Sequence, residues 1–337
     1  MRLGEITCPS GELVVIDGGY LGVWSGDRSP AEVDPAALGI DDPATAEDIR
    51  GAVDFDIDGP DAAAAARLLF GRKPGLSLYD VPASAASDFQ AAFAALCEDE
   101  RLNASLHSLG RVPHRERARR CAAGGSFLAF GVPVVAIGGL PQDRPLWVGA
   151  TEYEPDVGGR WASMEVVVGE GPVANSGRLG EVGVDWARLA FGDADAIGSW
   201  RHEDPIDGLA DVVFWGRSET EAASVHNAPM LDIPGETGVY GWTDLTLPAA
   251  IDRARAVLEW AESDVERKLM VDFRPHSHHW QVMRQVRASE TGSGTVEVAG
   301  ARILFAQTSW GDGFFPVHAD RDADGDLVAI RVAFPAP

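Results

Sequence analysis

The chain reads as an α+β fold built from two related units, each a twisted antiparallel sheet with one or two helices packed on a face. Three observations predict it: strand signals at both ends, amphipathic helical stretches between them, and an internal similarity linking the halves.

The strand signals come first. Glu12-Leu13-Val14-Val15-Ile16-Asp17 is a β-branched run closed by Gly18-Gly19. Further along, Thr295 to Val298 alternates, Ala299-Gly300 turns, and Arg302 to Ala306 continues as a partner strand. Phe314 to Ala319 and Leu327 to Val332 flank the turn Asp322-Ala323-Asp324-Gly325, a hairpin pattern.

Helices are predicted between these frames. Ser87-Asp88 caps a stretch carrying Phe89, Phe93, Leu96 and Cys97 at spacings of three and four. Thr246 caps another, with Pro248 in its first turn and Ile251, Val257, Leu258, Ala261 and Val265 on one face. Leu102 to Arg120 also reads as helical, with a charge density that implies a wet surface.

The similarity organises the whole chain. Leu13 to Trp24 aligns without gaps to Leu189 to Trp200: Leu, Asp, Gly and Trp recur at identical spacing, and Leu21 matches Ile197. Val148-Gly149-Ala150, a Gly158-Gly159 turn and Trp161 to Val168 mirror Val317-His318-Ala319, the Gly325 turn and Leu327 to Phe334. Each half would open with a strand ending in Asp and close with a hairpin. The predicted units are 1–172 and 178–337, meeting at a Gly/Pro/Asn/Ser-rich linker near Gly171 to Gly180.

Composition narrows the function classes. At 45% hydrophobic residues the chain can bury sizeable cores. Lys and Arg number 28 against 52 Asp and Glu, a net charge of -24. Such a surface repels phosphate backbones and anionic lipid, which argues against nucleic-acid and membrane partners and favours a basic partner, a cation or plain solubility. Cys8, Cys97 and Cys121 are odd in number and scattered, which fits a reducing compartment. No signal-peptide pattern opens the sequence, and the apolar run Ser126 to Leu140 is too short and broken to span a bilayer. A cytoplasmic location is expected.

The segment Thr308-Ser309-Trp310-Gly311-Asp312-Gly313-Phe314-Phe315-Pro316-Val317 carries the pattern S-W-G-D-G-x-[FY]-P-V. It resembles the C-terminal signature of an uncharacterised bacterial domain-of-unknown-function family, in which an early strand ending in Asp accompanies the W-G-D-G segment. The resemblance covers about the last 160 residues; in the first half Gly138-Gly139 before Trp147 stands where W-G-D-G would be. It implies no reaction. Some relatives look like neighbours of bacterial toxin systems, which implies an immunity or partner-binding role.

Four segments can carry chemistry. In Pro275-His276-Ser277-His278-His279-Trp280, His-x-His on a strand would put two imidazoles on one face. His276, His278 and His279 are therefore the candidate ligands of a divalent metal, with Asp272, Asp312 and His318 as extra ligands; the plainer readings are a polar surface loop or a hydrogen-bonded set of core histidines. In Trp310-Gly311-Asp312-Gly313 the glycines leave the carboxylate unshielded, so Asp312, with Asp193 or Asp17 at a strand end and His278 nearby, could do acid–base work. A tight turn capped by Asp312 is the simpler alternative. Asp320 to Asp326 matches the opening D-x-D-x-D-G of a calcium loop, but Arg331 stands where the twelfth-position Glu is required, so an acidic hairpin tip is expected. Arg111 to Arg120 is a basic island expected to pair with the protein's own carboxylates.

Ten tryptophans add a last possibility, since Trp24, Trp186, Trp200, Trp215, Trp242 and Trp310 lie beside Gly or small residues. Three functions are thus expected, led by a binding or immunity-type protein that meets a basic partner through an apolar patch rimmed with acids. The alternatives are a hydrolase-like metal enzyme centred on His276 to His279 and Asp312, and a small-ligand or sugar module. The last predicts a tryptophan-walled groove without displaced ionisable groups.

Overall fold

The computed structural model describes residues 1–34, 42–72, 77–121, 123–153 and 159–335. The fold is α+β with antiparallel sheets, as the sequence predicts. Its first half runs β1 (Arg2–Ile6), β2 (Glu12–Asp17), α1 (Pro43–Arg50), β3 (Asp54–Asp58), α2 (Ala62–Arg72), α3 (Ala86–Glu100), β4 (Ser105–Gly110), α4 (His114–Arg120), β5 (Gly125–Ala129), β6 (Val132–Gly138), β7 (Leu146–Glu152) and β8 (Trp161–Val167). The second runs β9 (Asn175–Val184), β10 (Arg188–Asp193), β11 (Leu209–Trp215), α5 (Glu219–His226), β12 (Met230–Ile233), β13 (Glu236–Thr246), α6 (Leu247–Glu262), β14 (Met270–Pro275), α7 (His278–Ala288), β15 (Ser293–Val298), β16 (Ala301–Gln307), β17 (Gly313–Arg321) and β18 (Leu327–Ala333).

Two six-stranded sheets form the body, ordered β1-β7-β8-β18-β17-β9 and β15-β16-β10-β2-β6-β5. Exchanging β1 with β9, β2 with β10, β5 with β15, β6 with β16, β7 with β17 and β8 with β18 reverses each order onto itself. The registers obey the same exchange. In the β2–β10 ladder Val15 faces Phe191, with Leu13 opposite Asp193 and Asp17 opposite Leu189. In the β8–β18 ladder Glu165 faces Arg331. The gap-free alignment of Leu13–Trp24 with Leu189–Trp200 therefore describes two strands that pair with each other about their common midpoint. Both halves contribute strands to both sheets, so 1–172 and 178–337 are not separate bodies.

Strand alternation explains why β2 lacks polar residues between its ends. Leu13 and Val15 point into a core shared by both sheets, with Phe191, Leu304, Val317 and Ile330. Val14 and Ile16 point the other way, into a core with Phe305 and, from α7, Trp280, Val282, Met283 and Val286.

The remaining elements form two satellites, one between β2 and β5 and one between β10 and β15. In the first, β3 pairs with β4 on one side, and on the other Phe55 N donates to Leu78 O while Val53, just before the strand, exchanges two bonds with Val81. In the second, β11 lies between β13 and β14.

Several expectations need correction. Leu102 to Arg120 is not one helix but β4 followed by α4, because Gly110 takes φ +71° and Pro113 ends the extended run. Much of the predicted linker is strand: Asn175 to Gly180 opens β9, which pairs along β17. Ser87 and Asp88 lie inside α3 rather than at its cap. Thr246 does precede α6, but the buried face is Ala250, Ala254 and Val257, leaving Ile251 and Leu258 exposed. Gly158 of the predicted turn lies outside the described residues. Among the described residues no helix is long and apolar enough to cross a membrane.

Candidate functional site

Both strand-end aspartates are buried, and their oxygens are engaged by the backbone. Asp17 Oδ1 accepts from Gly19 N at 2.7 Å, and Oδ2 accepts from Asp185 N and Trp186 N at 2.5 and 2.9 Å. Asp193 Oδ1 accepts from Asp195 N and Ala196 N, each at 2.9 Å, while Oδ2 takes Ser10 N at 2.8 Å and Ser10 Oγ at 2.7 Å. A carboxylate so saturated fixes turns, and no oxygen is left over for the acid–base work expected of Asp193. Asp312 is exposed, and its Oδ1 accepts from Ala187 N at 3.0 Å, where Ala187 takes φ +53°. The W-G-D-G segment is thus a turn brace, the simpler of its two readings.

The three histidines diverge. Ser277 ends the extended run and caps α7 through its Oγ to Trp280 N, so His-x-His does not lie on a strand. His276 turns to Asp207 and Asp211, at 2.9 and 3.0 Å. His278 Nδ1 accepts from Arg201 N at 2.9 Å. His279 stacks on His202, ring centroids 4.0 Å apart. Among the described residues they do not converge on one metal, and neither Asp272, Asp312 nor His318 joins them.

His279 does open onto the main cleft. A hollow of about 660 Å³ is lined by Gly19, Gly22, Arg28, Trp186, Arg188, Trp200, Arg201, His202, Glu203, Asp204 and His279. A second hollow of about 250 Å³ shares Arg188, His202, Glu203 and His279 and continues to Asp272, Arg274 and Arg287. Trp200 stacks flat on Phe305 at 5.3 Å and donates from Nε1 to His202 Nδ1 at 3.2 Å, fixing that wall. The Trp186 ring lies directly against Gly19, where a Cβ would sit 2.3 Å from it, so any side chain at this position must displace that ring.

The electrostatics of this cleft oppose those of the protein. Arg115, Arg117 and Arg274, the buried arginines, each hold carboxylates within salt-bridge distance. Arg188 has none among the described residues: its Nε is buried without a hydrogen-bond partner, and its guanidinium lies 5.6 Å from the Trp186 ring. His279 Nδ1 is likewise buried and unpartnered. Burial, then the charge of Arg188, pushes His202 down to about 4. Burial, then His202, Arg188 and Arg287, pushes His279 down to about 2. Burial also lowers Arg188, and burial with the nearby Asp204 and Asp272 raises Glu203. Displaced ionisable groups gathered in a concave site are the usual physical mark of function.

The other half shows what has changed. By the strand alignment, Arg188 stands where the first half has Glu12, and Gly19 where the second half has Asp195. Arg115, one residue into α4 as His279 is one residue into α7, bridges that Glu12 and that Asp195. One side of the molecule closes this position with an internal ion pair. The opposite side replaces the three charges with arginine, glycine and a neutral histidine, and a cleft results.

Other charged segments are self-contained. In the basic island, Arg111 pairs with Asp80, Arg117 with Asp54 and Asp80, Arg119 with Asp27 and Arg120 with Glu116, as expected. A hollow of about 330 Å³ beside Asp80 and Arg111 is therefore walled by charges that already have partners. Asp320 pairs with Arg331, and Asp322 accepts from Asp324 N and Asp326 N, so the calcium-like run is an acidic hairpin tip.

The sequence reading missed Arg188, His202 and Gly19. The readable signal was a charge reversal beside the aligned strands, Glu12 against Arg188 and Gly19 against Asp195. No protein-family model, no curated protein and no solved structure matches the chain.

Proposed function

We propose that the chain is a ligand-binding protein, made by duplication of one unit, that takes a small anion bearing a flat ring into the Arg188 cleft. One observation carries the reading. In a chain of net charge -24, a half-buried guanidinium lines a cleft of about 660 Å³ with no carboxylate in salt-bridge contact among the described residues and its Nε without a hydrogen-bond partner. An anionic group would supply the missing partner in a poorly hydrated site, where charge-assisted bonds are strongest. Trp186, 58% exposed, and Trp200 line the cleft beside it and supply aromatic surface for a flat ring. The groove expected of a small-ligand module has no displaced ionisable groups; this cleft has tryptophans in its lining, but His202, Glu203 and His279 are displaced.

Phenyl phosphate tests the reading through tryptophan fluorescence. Saturable quenching is expected in the wild type, with affinity reduced at least about tenfold in Arg188→Ala, the loss of one charged hydrogen bond. Absence of saturable quenching by phenyl phosphate, benzoate and inorganic phosphate would overturn it.

A second reading, the partner-binding role, is favoured by one patch. On α6, Ile251 and Leu258 are 41% and 43% exposed beside Phe273, with Glu259 and Glu262 alongside. This fits an apolar docking face rimmed by acids. A basic partner protein that bound Leu258→Glu as tightly as the wild type would remove it.

A further inference from the structure

We propose that Asp211, Asp244 and His276 form a site for one divalent transition-metal ion, with Asp207 as the group that orients the imidazole. Asp211 lies on β11, Asp244 on the neighbouring β13, and His276 follows β14, so three adjacent chain segments deliver three ligands to one end of a sheet. One ligand atom from each lies within 4.8 Å of the others, close enough for a single ion to touch all three.

The imidazole is already set for metal binding. Its Nδ1 meets Asp207 Oδ2 at 2.9 Å, which leaves Nε2 facing Asp211 Oδ1 at 3.0 Å. A carboxylate on the far nitrogen is the usual outer support of a ligating histidine, because it fixes the tautomer and the ring angle. An ion bound here would take the Nε2 lone pair, any proton on that nitrogen passing to solvent, while Nδ1–H stays on Asp207.

An independent observation supports a cation at this position: its counterpart in the first half holds one. In the first half, Asp54 and Asp80 repeat the geometry of Asp211 and Asp244. Asp80 N donates to Asp54 Oδ1 at 2.8 Å and Asp244 N to Asp211 Oδ1 at 2.9 Å, and both donors take a left-handed φ, +58° and +55°. Between Asp54 and Asp80 sits the guanidinium of Arg117, at 2.9 and 2.8 Å, with Arg111 at 2.8 Å from Asp80. Two carboxylates there meet two permanent cations. Asp211 and Asp244, with Asp207 added, have no arginine or lysine in salt-bridge contact among the described residues, only His276. The charge that Arg117 supplies internally in one half is the charge a divalent ion would supply in the other. One imidazole and two carboxylates suit zinc, manganese or ferrous iron rather than calcium, which prefers oxygen alone.

The experiment is calorimetric titration of metal-stripped, full-length protein with zinc chloride and with manganese chloride at physiological salt. One ion per chain is expected for at least one metal, with affinity falling at least about tenfold in both Asp244→Asn and His276→Gln. Asp244 is exposed, and asparagine tolerates its left-handed φ, so the first variant retains the fold. Glu98→Gln, on the exposed face of α3 in the other half, should bind as the wild type does. No saturable binding of either metal, or equal binding by all four proteins, would overturn the proposal. The Arg188 cleft plays no part in this readout, so either idea can fail alone.

Discussion

Asp17 and Asp193 stand at opposite ends of one pair of strands, and each ties down the other half of the molecule. Asp17 holds the turn that leads into β10, through Asp185 and Trp186. Asp193 holds the turn that leads into β2, through Ser10. Replacing Asp193 with Ala leaves three backbone N–H groups, of Ser10, Asp195 and Ala196, without an acceptor in a buried site, a cost of about 3 kcal/mol or more. Asp312→Ala, which frees one exposed turn, should cost under about 1 kcal/mol. Urea unfolding of the two variants measures the difference, and equal midpoints would show that Asp193 is not a brace.

Arg117 offers a sharper test of the buried charges. Its side chain is fully buried between Asp54 and Asp80, and its Nε donates to Val112 O at 3.0 Å. Burial would raise the Asp80 carboxyl, but the hydrogen bonds and charge of Arg117 outweigh it and hold that group below its ordinary value. Arg117→Met should cost about 3–5 kcal/mol, because two carboxylates lose their main counter-charge. Adding Asp54→Asn to that variant should restore part of the loss, which a double-mutant cycle reads directly.

Acidification should weaken the fold through three histidines. Burial presses His114 to about 3, His202 to about 4 and His279 to about 2. In the unfolded chain all three titrate near the ordinary value of about 6.5. Protons therefore favour the unfolded state, and the stability present above that pH is lost as pH falls toward the folded values. The slope is at most about 1.4 kcal/mol per pH unit for each histidine. Chemical denaturation between neutrality and pH ~5 should show the decline, and His202→Gln should make it shallower. A flat profile would mean that these rings are not held neutral.

Gly19→Asp should close the cleft. It puts back the carboxylate that Asp195 contributes on the opposite side, in reach of Arg188, and obliges the exposed Trp186 ring to swing away. Phenyl phosphate should no longer quench the tryptophans, whereas thermal stability should hold or rise through the new ion pair. Undiminished quenching in this variant would place the ligand elsewhere.

The strands were legible for a simple reason. β2 is buried on both faces, so its sequence is an unbroken apolar run, while β15 to β18 alternate between turns rich in Gly and Asp. The helical reading of Leu102 to Arg120 failed because β4 carries no buried side chain and so shows no apolar period for a sequence pattern to catch. The metal expectation grouped His276 with His278 and His279, whereas the fold sets it beside Asp211 and Asp244. His278 and His279 are neighbours in sequence, whereas Asp211 and Asp244 come from other strands of the sheet. The cleft was hidden for the same reason: Gly19, Trp186, Arg188, His202 and His279 meet only when β2 and β10 pair, and pairing distance is not written in local spacing.

Interleaving of the halves also shapes the route by which the chain can fold. β8 ends at Val167, yet its second neighbour, β18, begins only at Leu327, about 160 residues on. Until that strand arrives, β8 and β17 each present a bare row of amide and carbonyl groups. A nascent or heat-opened chain thus exposes two adhesive edges at the centre of the future sheet, where another molecule's β18 fits as well as its own. Refolding should accordingly be slow, and at high concentration it should yield strand-exchanged dimers.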